Sequence, residues 1–477
     1  MLKRVGMALA VTAWLGFTAI GGTASAGSSI TQISSDPFSA PTVGQHHTQV
    51  EPDIYAYGGT VVADVQQGRI DVGGSTDPGW ATFNGSSWQH GSFPGLTVNS
   101  SPPGPYDEAS DPSIVYDAKH KVWLASTLAM KSEQGVGVAV NQSTDGITWK
   151  NAVTAFQSSD FEDKDWITCD NGAKSPFYGN CYIEFDDVSQ GDQPYMMVSH
   201  DGGTTWSSPV SAGSCCLGGE PLVQPKGTVI VPLLGPGGVS AFSSKDGGKT
   251  WGPEVTVANI NANADPGSIR NPDLPSATID KSGKVYVFWQ DCRFESGCGG
   301  SLTNDIVMST STNGTKWSSP VRVPTASIGS GTDFLLPGAG ADPSTSGKKA
   351  KIALDYYYFP NANSCGSNCQ LDVGFVSSTN GGKSWSSPTQ LAGPMQTTWL
   401  ANTNQGYMVG DYFQTAVSNG TAYPALVVAN PPNGSVYDEA LYSAAIGVVG
   451  GSVTAGANER VQGLAPRHGD PHSQIAN

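Results

Sequence analysis

The chain is 477 residues long, carries a formal net charge of −16, and is charged at only 13% of its positions. That acidic balance excludes nucleic acid and anionic membrane surfaces as partners, since both are held by clustered lysine and arginine. No long stretch keeps a helical period and nothing after residue 26 is apolar for long enough to cross a bilayer, so a strand-and-turn protein without a membrane span is expected.

The first residues, M-L-K-R, lead into an apolar run that reaches about Ile20 and ends at Ala24-Ser25-Ala26. This is the three-part pattern of a secretory signal peptide, expected over 1–26, and its removal takes Lys3 and Arg4 and makes the net charge −18. Secretion fits the eight cysteines. Cys169 with Cys181, Cys292 with Cys298 and Cys365 with Cys369 are close pairs, each suited to clip one loop. Cys215 and Cys216 are adjacent, which leaves a vicinal disulfide or bonds to other cysteines. Eight cysteines allow 105 pairings, so the local set is a preference. The matched CxxC pairs of zinc modules are absent.

A box ending in tryptophan then recurs. Thr82–Trp88 (T-F-N-G-S-S-W) is a degenerate copy, and Ser143–Trp149 (S-T-D-G-I-T-W) and Ser311–Trp317 (S-T-N-G-T-K-W) are short forms. Ser199–Trp206 (S-H-D-G-G-T-T-W), Ser244–Trp251 (S-K-D-G-G-K-T-W) and Ser378–Trp385 (S-T-N-G-G-K-S-W) are full ones. Asp or Asn accepts backbone N–H groups and glycine supplies positive φ, so each box predicts a tight turn between strands, with its Trp packed between neighbouring sheets. Recurrence about every 45–70 residues marks stacked units that share a core.

Between the boxes an acidic residue, often before Pro, leads an apolar strand and then an alternating one. Glu51-Pro52 leads to Thr60–Gln67, Asp111-Pro112 to Lys121–Thr127, Asp165-Trp166 to Cys181–Asp187, Glu220-Pro221 to Thr228–Leu234, and Asn271-Pro272 to Lys284–Asp291. Less regular copies run from about Leu336 to Tyr358 and from Asp411 to Val428, which makes seven units. The expected fold is therefore all-β, a seven-bladed β-propeller over 27–450, with a six-bladed form as the alternative. Ser29–Phe38 is expected to add the fourth strand of the last blade and close the ring. Residues 451–477 are Gly-rich and polar and are expected to be a disordered tail.

In such blades the boxes lie on one face, and the starts of inner strands and ends of second strands lie on the other. That second face gathers Glu51, Asp111, Asp165, Glu220 and Asp411, with Gln66, Gln67, Arg69, Asp291, Arg293 and Tyr356. The chain has seven arginines, and Arg69, Arg270 and Arg293 all map there. Converging guanidinium groups suit a carboxylate ligand, although pairing with neighbours such as Asp291 explains them equally well. Glu51, Asp111 and Asp411 either cap strand ends or form an acid ring for Ca²⁺, the one cofactor considered and not a required one. His46 and His47 enter the first inner strand as general-base candidates, with ordinary loop histidines the competing reading. Tyr412 is a candidate nucleophile beside a carboxylate, or else a core tyrosine.

The boxes resemble the Asp boxes of the sialidase (neuraminidase) family, as do D-K-D-W-I-T-C-D-N (Asp163–Asn171) and P-S-A-T-I-D-K-S-G-K-V-Y-V-F-W-Q-D-C-R (Pro275–Arg293). The resemblance is at the level of repeats, over about Thr42 to Val449. It implies a propeller with a carbohydrate site at one end of the axis. Arg69, Arg270 and Arg293 would hold the sugar carboxylate, Tyr412 would be nucleophile, and Asp165 would be acid/base, with Glu220 a further acid candidate. Sialidases have six blades rather than seven. Their Arg-Ile-Pro signature is also missing, because Arg69 is followed by Ile70 and Asp71. The leading expectation is a secreted, monomeric exo-glycosidase acting on acidic sugar termini of glycans. A polysaccharide lyase acting on uronates, or a non-catalytic propeller that binds glycan or protein, are the alternatives.

Overall fold

The computed structural model describes residues 29–456 apart from 42, 216, 301 and 302. The expected signal peptide and Cys216 lie outside the described residues. The fold is all-β and consistent with a β-propeller; among the described residues the helical elements are four single 3₁₀ turns.

Antiparallel meanders follow one another along the chain. In the first, Gly44–Tyr57 pairs with Thr60–Ile70, then Ser75–Phe83, then Trp88–Ser92. The next runs Glu108–Asp117, Val122–Lys131, Gln134–Ser143 and the long strand Val153–Cys169. That strand changes partner midway: its first half closes one meander, and its second half opens the next by pairing with Cys181–Asp187. Two four-stranded sheets follow, from Leu222–Val223 to Val255–Asn259 and from Ser276–Ile279 to Val321–Arg322. Asp333–Ala341 leads a further meander that ends at Thr389–Gln396. The last inner strand, Phe413–Ser418, is followed by Leu426–Ala429, Glu439–Ser443 and, from the other end of the chain, Thr31–Gln32. Thr31 lies opposite Ser443 and Gln32 opposite Tyr442, so the expected N-terminal strand is where the sequence put it.

The boxes are turns, and their second glycines explain how sheets stack. In Ser199–Trp206 the Ser199 hydroxyl accepts the Gly203 N–H at 2.9 Å, Asp201 accepts the Thr205 N–H at 2.9 Å, and the Trp206 indole donates to the Gly203 carbonyl at 3.2 Å. Gly203 has φ +79° and lies against Leu124 of the preceding meander, where a Cβ would come within 2.7 Å of a leucine methyl. Gly248 meets Val198, and Gly382 meets Met308, in the same way. Trp385 is fully buried in an apolar cluster with Phe288, Ile306, Met308 and Tyr356.

Tyr356 is therefore a correction. It was expected on the ligand face, but it is 1% exposed and its ring packs edge-on to Phe334, because alternation along Ile352–Phe359 turns it into the gap between sheets. The expected tail also begins too early. Val453–Thr454 pairs with Ser384–Trp385, and Gly456 accepts the Arg322 N–H, so ordered chain continues past 450. Residues 457–477 lie outside the described residues.

Candidate functional site

A backbone device repeats where the inner strands begin. Glu51, Asp111, Lys164, Asp273 and Leu336 all have φ between +41° and +59°, in the left-handed region that non-glycine residues avoid. Register shifts mark a β-bulge at four of these places, between Val50 and Asp53, Ser110 and Ser113, Phe185 and Asp186, and Leu335 and Gly338. A bulge re-aims side chains, and here it turns the charged ones toward each other from separate sheets.

The Lys164 ammonium sits 2.8 Å from Asp411 and 3.3 Å from Asp111, with Asp163 at 4.0 Å. Tyr412 donates its phenol to Asp111 at 2.8 Å and packs edge-on to Trp166. Arg270 clamps Asp411 through Nε, at 2.8 Å, and Nη2. Gln66 donates to Glu51 and, at 2.9 Å, to Ser110, while Arg69 donates to Gln66 at 3.0 Å. Arg270 is held by a clasp that sequence reasoning missed: the hairpin Ala401–Thr403 and Gly406–Met408 accepts the Arg270 N–H on the Tyr407 carbonyl at 2.7 Å.

Nearly all of this is buried. Glu51, Asp111 and Asp411 are each 1% exposed and Lys164 is 4% exposed, whereas the side chains of Arg270 and Asp163 keep 15% and 20% of their surface. Burial and the nearby Asp111 and Asp411 push the Glu51 carboxyl up to about 8, so it is protonated at neutral pH. Burial works against the Asp411 carboxylate, but Arg270 and Lys164 outweigh it and hold the group below its usual range. For Lys164 burial favours the neutral amine, and Asp111, Asp163 and Asp411 reverse that and keep the ammonium. Burial and the carboxylates of Asp111 and Glu51 raise Tyr412, which rests as a phenol.

The other expected residues fall elsewhere. Arg69 joins the cluster, but Arg293 does not. Its guanidinium binds Asp291 at 2.6 Å and the Asn259 carbonyl and lies over Trp289, because its loop is pinned by Asp291, which also accepts the Arg293 N–H and the Trp289 indole. Gln67 faces Ser35 and Ser92, since one step along the strand reverses the side chain from that of Gln66. The His46 ring bonds the Pro41 carbonyl and lies 3.6 Å from Asp36, and the His47 N–H also goes to Asp36, so neither histidine shares a contact with Tyr412.

Asp165 and Glu220 line a water-sized void beside Tyr412, Glu184 and Trp166, and burial raises both carboxyls well above the usual range. Glu220 also accepts the Ala277 N–H at 2.7 Å, which ties neighbouring sheets together. Two of the three acids considered for Ca²⁺ are already taken. Asp111 and Asp411 already accept from Lys164, Tyr412 and Arg270, so a calcium ion between them would have to displace an ammonium.

The sulfur atoms of Cys169 and Cys181 lie 2.06 Å apart, and Cys292–Cys298 and Cys365–Cys369 are also joined. Cys215 packs at the edge of the Tyr182–Phe242 cluster.

No family model matches the chain, and no curated protein matches it. Among solved structures, it is similar to a polysaccharide lyase, an ulvan lyase bound to -[GlcA(1-4)Rha3S]-, at 13% identity over 86% of this chain and 96% of that one, with a TM-score of 0.47. A Hadza microbial sialidase is similar at 14% identity over 81% and 76%, with a TM-score of 0.46. A Dyadobacter fermentans protein of unknown function is similar at 13% identity over 73% and 98%, with a TM-score of 0.44. At these identities no residue role is carried across.

Proposed function

We propose that the chain is a secreted seven-bladed β-propeller whose axial charge cluster is a carbohydrate-active site, an exo-glycosidase acting on acidic sugar termini. The observation that supports this reading is the phenol of Tyr412 hydrogen-bonded to Asp111 at 2.8 Å, with two cations close by on Asp411. A tyrosine is a poor nucleophile until a base takes its proton, and Asp111 is placed to do so as the Tyr412 oxygen bonds the anomeric carbon. The glycosidic oxygen leaves with a proton. Asp163 is the better donor than Asp165, because it keeps surface at the rim while Asp165 is 1% exposed. Water then releases the sugar from Tyr412: Asp163, now a carboxylate, takes the proton of the attacking water, and Asp111 returns its proton to the Tyr412 oxygen. Arg270, also partly exposed, faces the sugar carboxylate. Arg293 has no part in the reaction.

The test is sugar release from a panel of fluorogenic acidic glycosides, sialosides first. Tyr412→Phe should abolish release and leave the folded state intact. Glycan binding without release by the native protein would replace hydrolysis with recognition at the same cluster.

A further inference from the structure

Beyond the charge cluster along the inner strands lies a cavity of about 1000 Å³, at the upper end of the size of small-molecule sites. Its walls come from the later residues of the inner strands, including Ile54, Ile167, Leu222, Ile279 and Val417. Three lysines line it as well: Lys174 in the loop after Cys169, Lys226 in the turn before Val229, and Lys281 in the turn before Val285. All three are exposed, and among the described residues none of them is ion-paired. Asp53, Glu220 and Asp280 are the lining carboxylates, and Asp280 directly precedes Lys281. Asp280 is already taken by Ser282, the Gly347 N–H at 3.0 Å and the Tyr286 hydroxyl at 3.1 Å. At the inner end the polar groups are paired too: Asp53 accepts from Ser113 and Ile114 at 2.9 Å each.

We propose that this cavity binds an amphipathic organic anion, with its carboxylate or sulfonate at the lysines and its apolar body along the aliphatic walls. Three exposed lysines with no ion pair among the described residues, in a protein of net charge −16, give the site its anion-binding groups. The aliphatic stretches of the walls suit an apolar body, and the lysines repel cations. Trp166 and Glu220 stand between this site and the void beside Tyr412, and binding here needs no sugar chemistry.

The experiment titrates the full chain with two fluorescent probes of similar shape, anionic 1-anilinonaphthalene-8-sulfonate and uncharged N-phenyl-1-naphthylamine, with decanoate as competitor. Both probes should bind, and decanoate should displace them. In Lys174→Ala/Lys226→Ala/Lys281→Ala the anionic probe should weaken roughly tenfold, since each exposed pair contributes a few-fold, while the neutral probe is unchanged. In Thr168→Trp, which fills the cavity from a half-buried position outside the apolar core clusters, both should be lost. Unchanged affinity of the anionic probe in the lysine variant overturns the proposal. So does retention of both probes in a folded Thr168→Trp protein. If Thr168→Trp does not fold, the contrast between the two probes in the lysine variant still decides.

Discussion

Lys164→Met removes the ammonium that bridges Asp111 at 3.3 Å and Asp411 at 2.8 Å, leaving a methionine of similar length in its place. The side chains of Asp111 and Asp411 are only 2% and 1% exposed, so water cannot replace the lost cation. Breaking a buried ion pair from one side costs about 3–5 kcal/mol. Asp411 keeps Arg270, which holds the expected cost near the lower end, about 3 kcal/mol. Unfolding entropy of roughly 2 cal/mol/K per residue over the roughly 425 described residues gives about 0.9 kcal/mol/K, so Tm should fall by about 3–4 °C. Differential scanning calorimetry at pH 7 measures the shift. Adding Asp111→Asn should restore part of it, because the orphaned charge is then gone. A Tm within 1 °C of the parent, or a double variant whose loss is the sum of the single ones, would refute a lysine that holds the cluster together.

Glu51 gives a pH signature. Its carboxyl is pushed up to about 8 in the folded protein from an ordinary 4.5, so the folded state holds a proton that the unfolded chain has released. That contribution is fully present below about pH 4.5 and is lost as pH rises through about 8; Glu51→Gln should flatten the fall in Tm between pH 5 and pH 8. Trp385→Ala empties a fully buried site against Phe288 and should cost about 3–5 kcal/mol, read as a lower Tm. Arg270→Ala should abolish release of acidic sugar, whereas Arg293→Ala should leave kcat/KM within twofold, and a large loss in Arg293→Ala alone would put the sugar carboxylate elsewhere.

The repeats were legible because turn chemistry is local. Ser, Asp and Gly in Ser199–Trp206 need only each other and the backbone to form the turn, so six copies could be read without tertiary contacts. The closing strand at Thr31–Gln32 was legible for a related reason, since the last unit lacked a partner. The site was legible only by face. Alternation along a strand cannot be phased by eye near a bulge, which is why Gln66 and Gln67 were both placed at the ligand end, with Tyr356, while only Gln66 reaches Glu51. Lys164 was missed although it stands where Glu51 and Asp111 stand in their own units. A lysine breaking a run of acidic strand starts was the available signal. Arg270 depends on a hairpin about 130 residues further on, and no local pattern announces such a clasp.

The repeated bulge also explains why the cluster occupies one sector of the axis. The left-handed φ recurs at Glu51, Asp111, Lys164, Asp273 and Leu336, so the strained backbone belongs to the architecture and not to any one reaction. What differs is the side chain each bulge presents. Glu51, Asp111 and Lys164 turn polar groups inward, and Asp411 and Tyr412 meet them from just before the last inner strand. At Leu336 the same geometry presents a buried leucine to an apolar cluster with Tyr357 and Phe413. Asp273 stands apart and accepts a hydrogen bond from Gln290. A symmetric scaffold thus yields an asymmetric site, because the bulge fixes where a side chain points while the sequence sets its charge. Leu336→Lys would test that separation: the backbone should hold, and the new ammonium would be buried in the apolar cluster of Tyr357 and Phe413, at a cost of several kcal/mol read as a lower Tm.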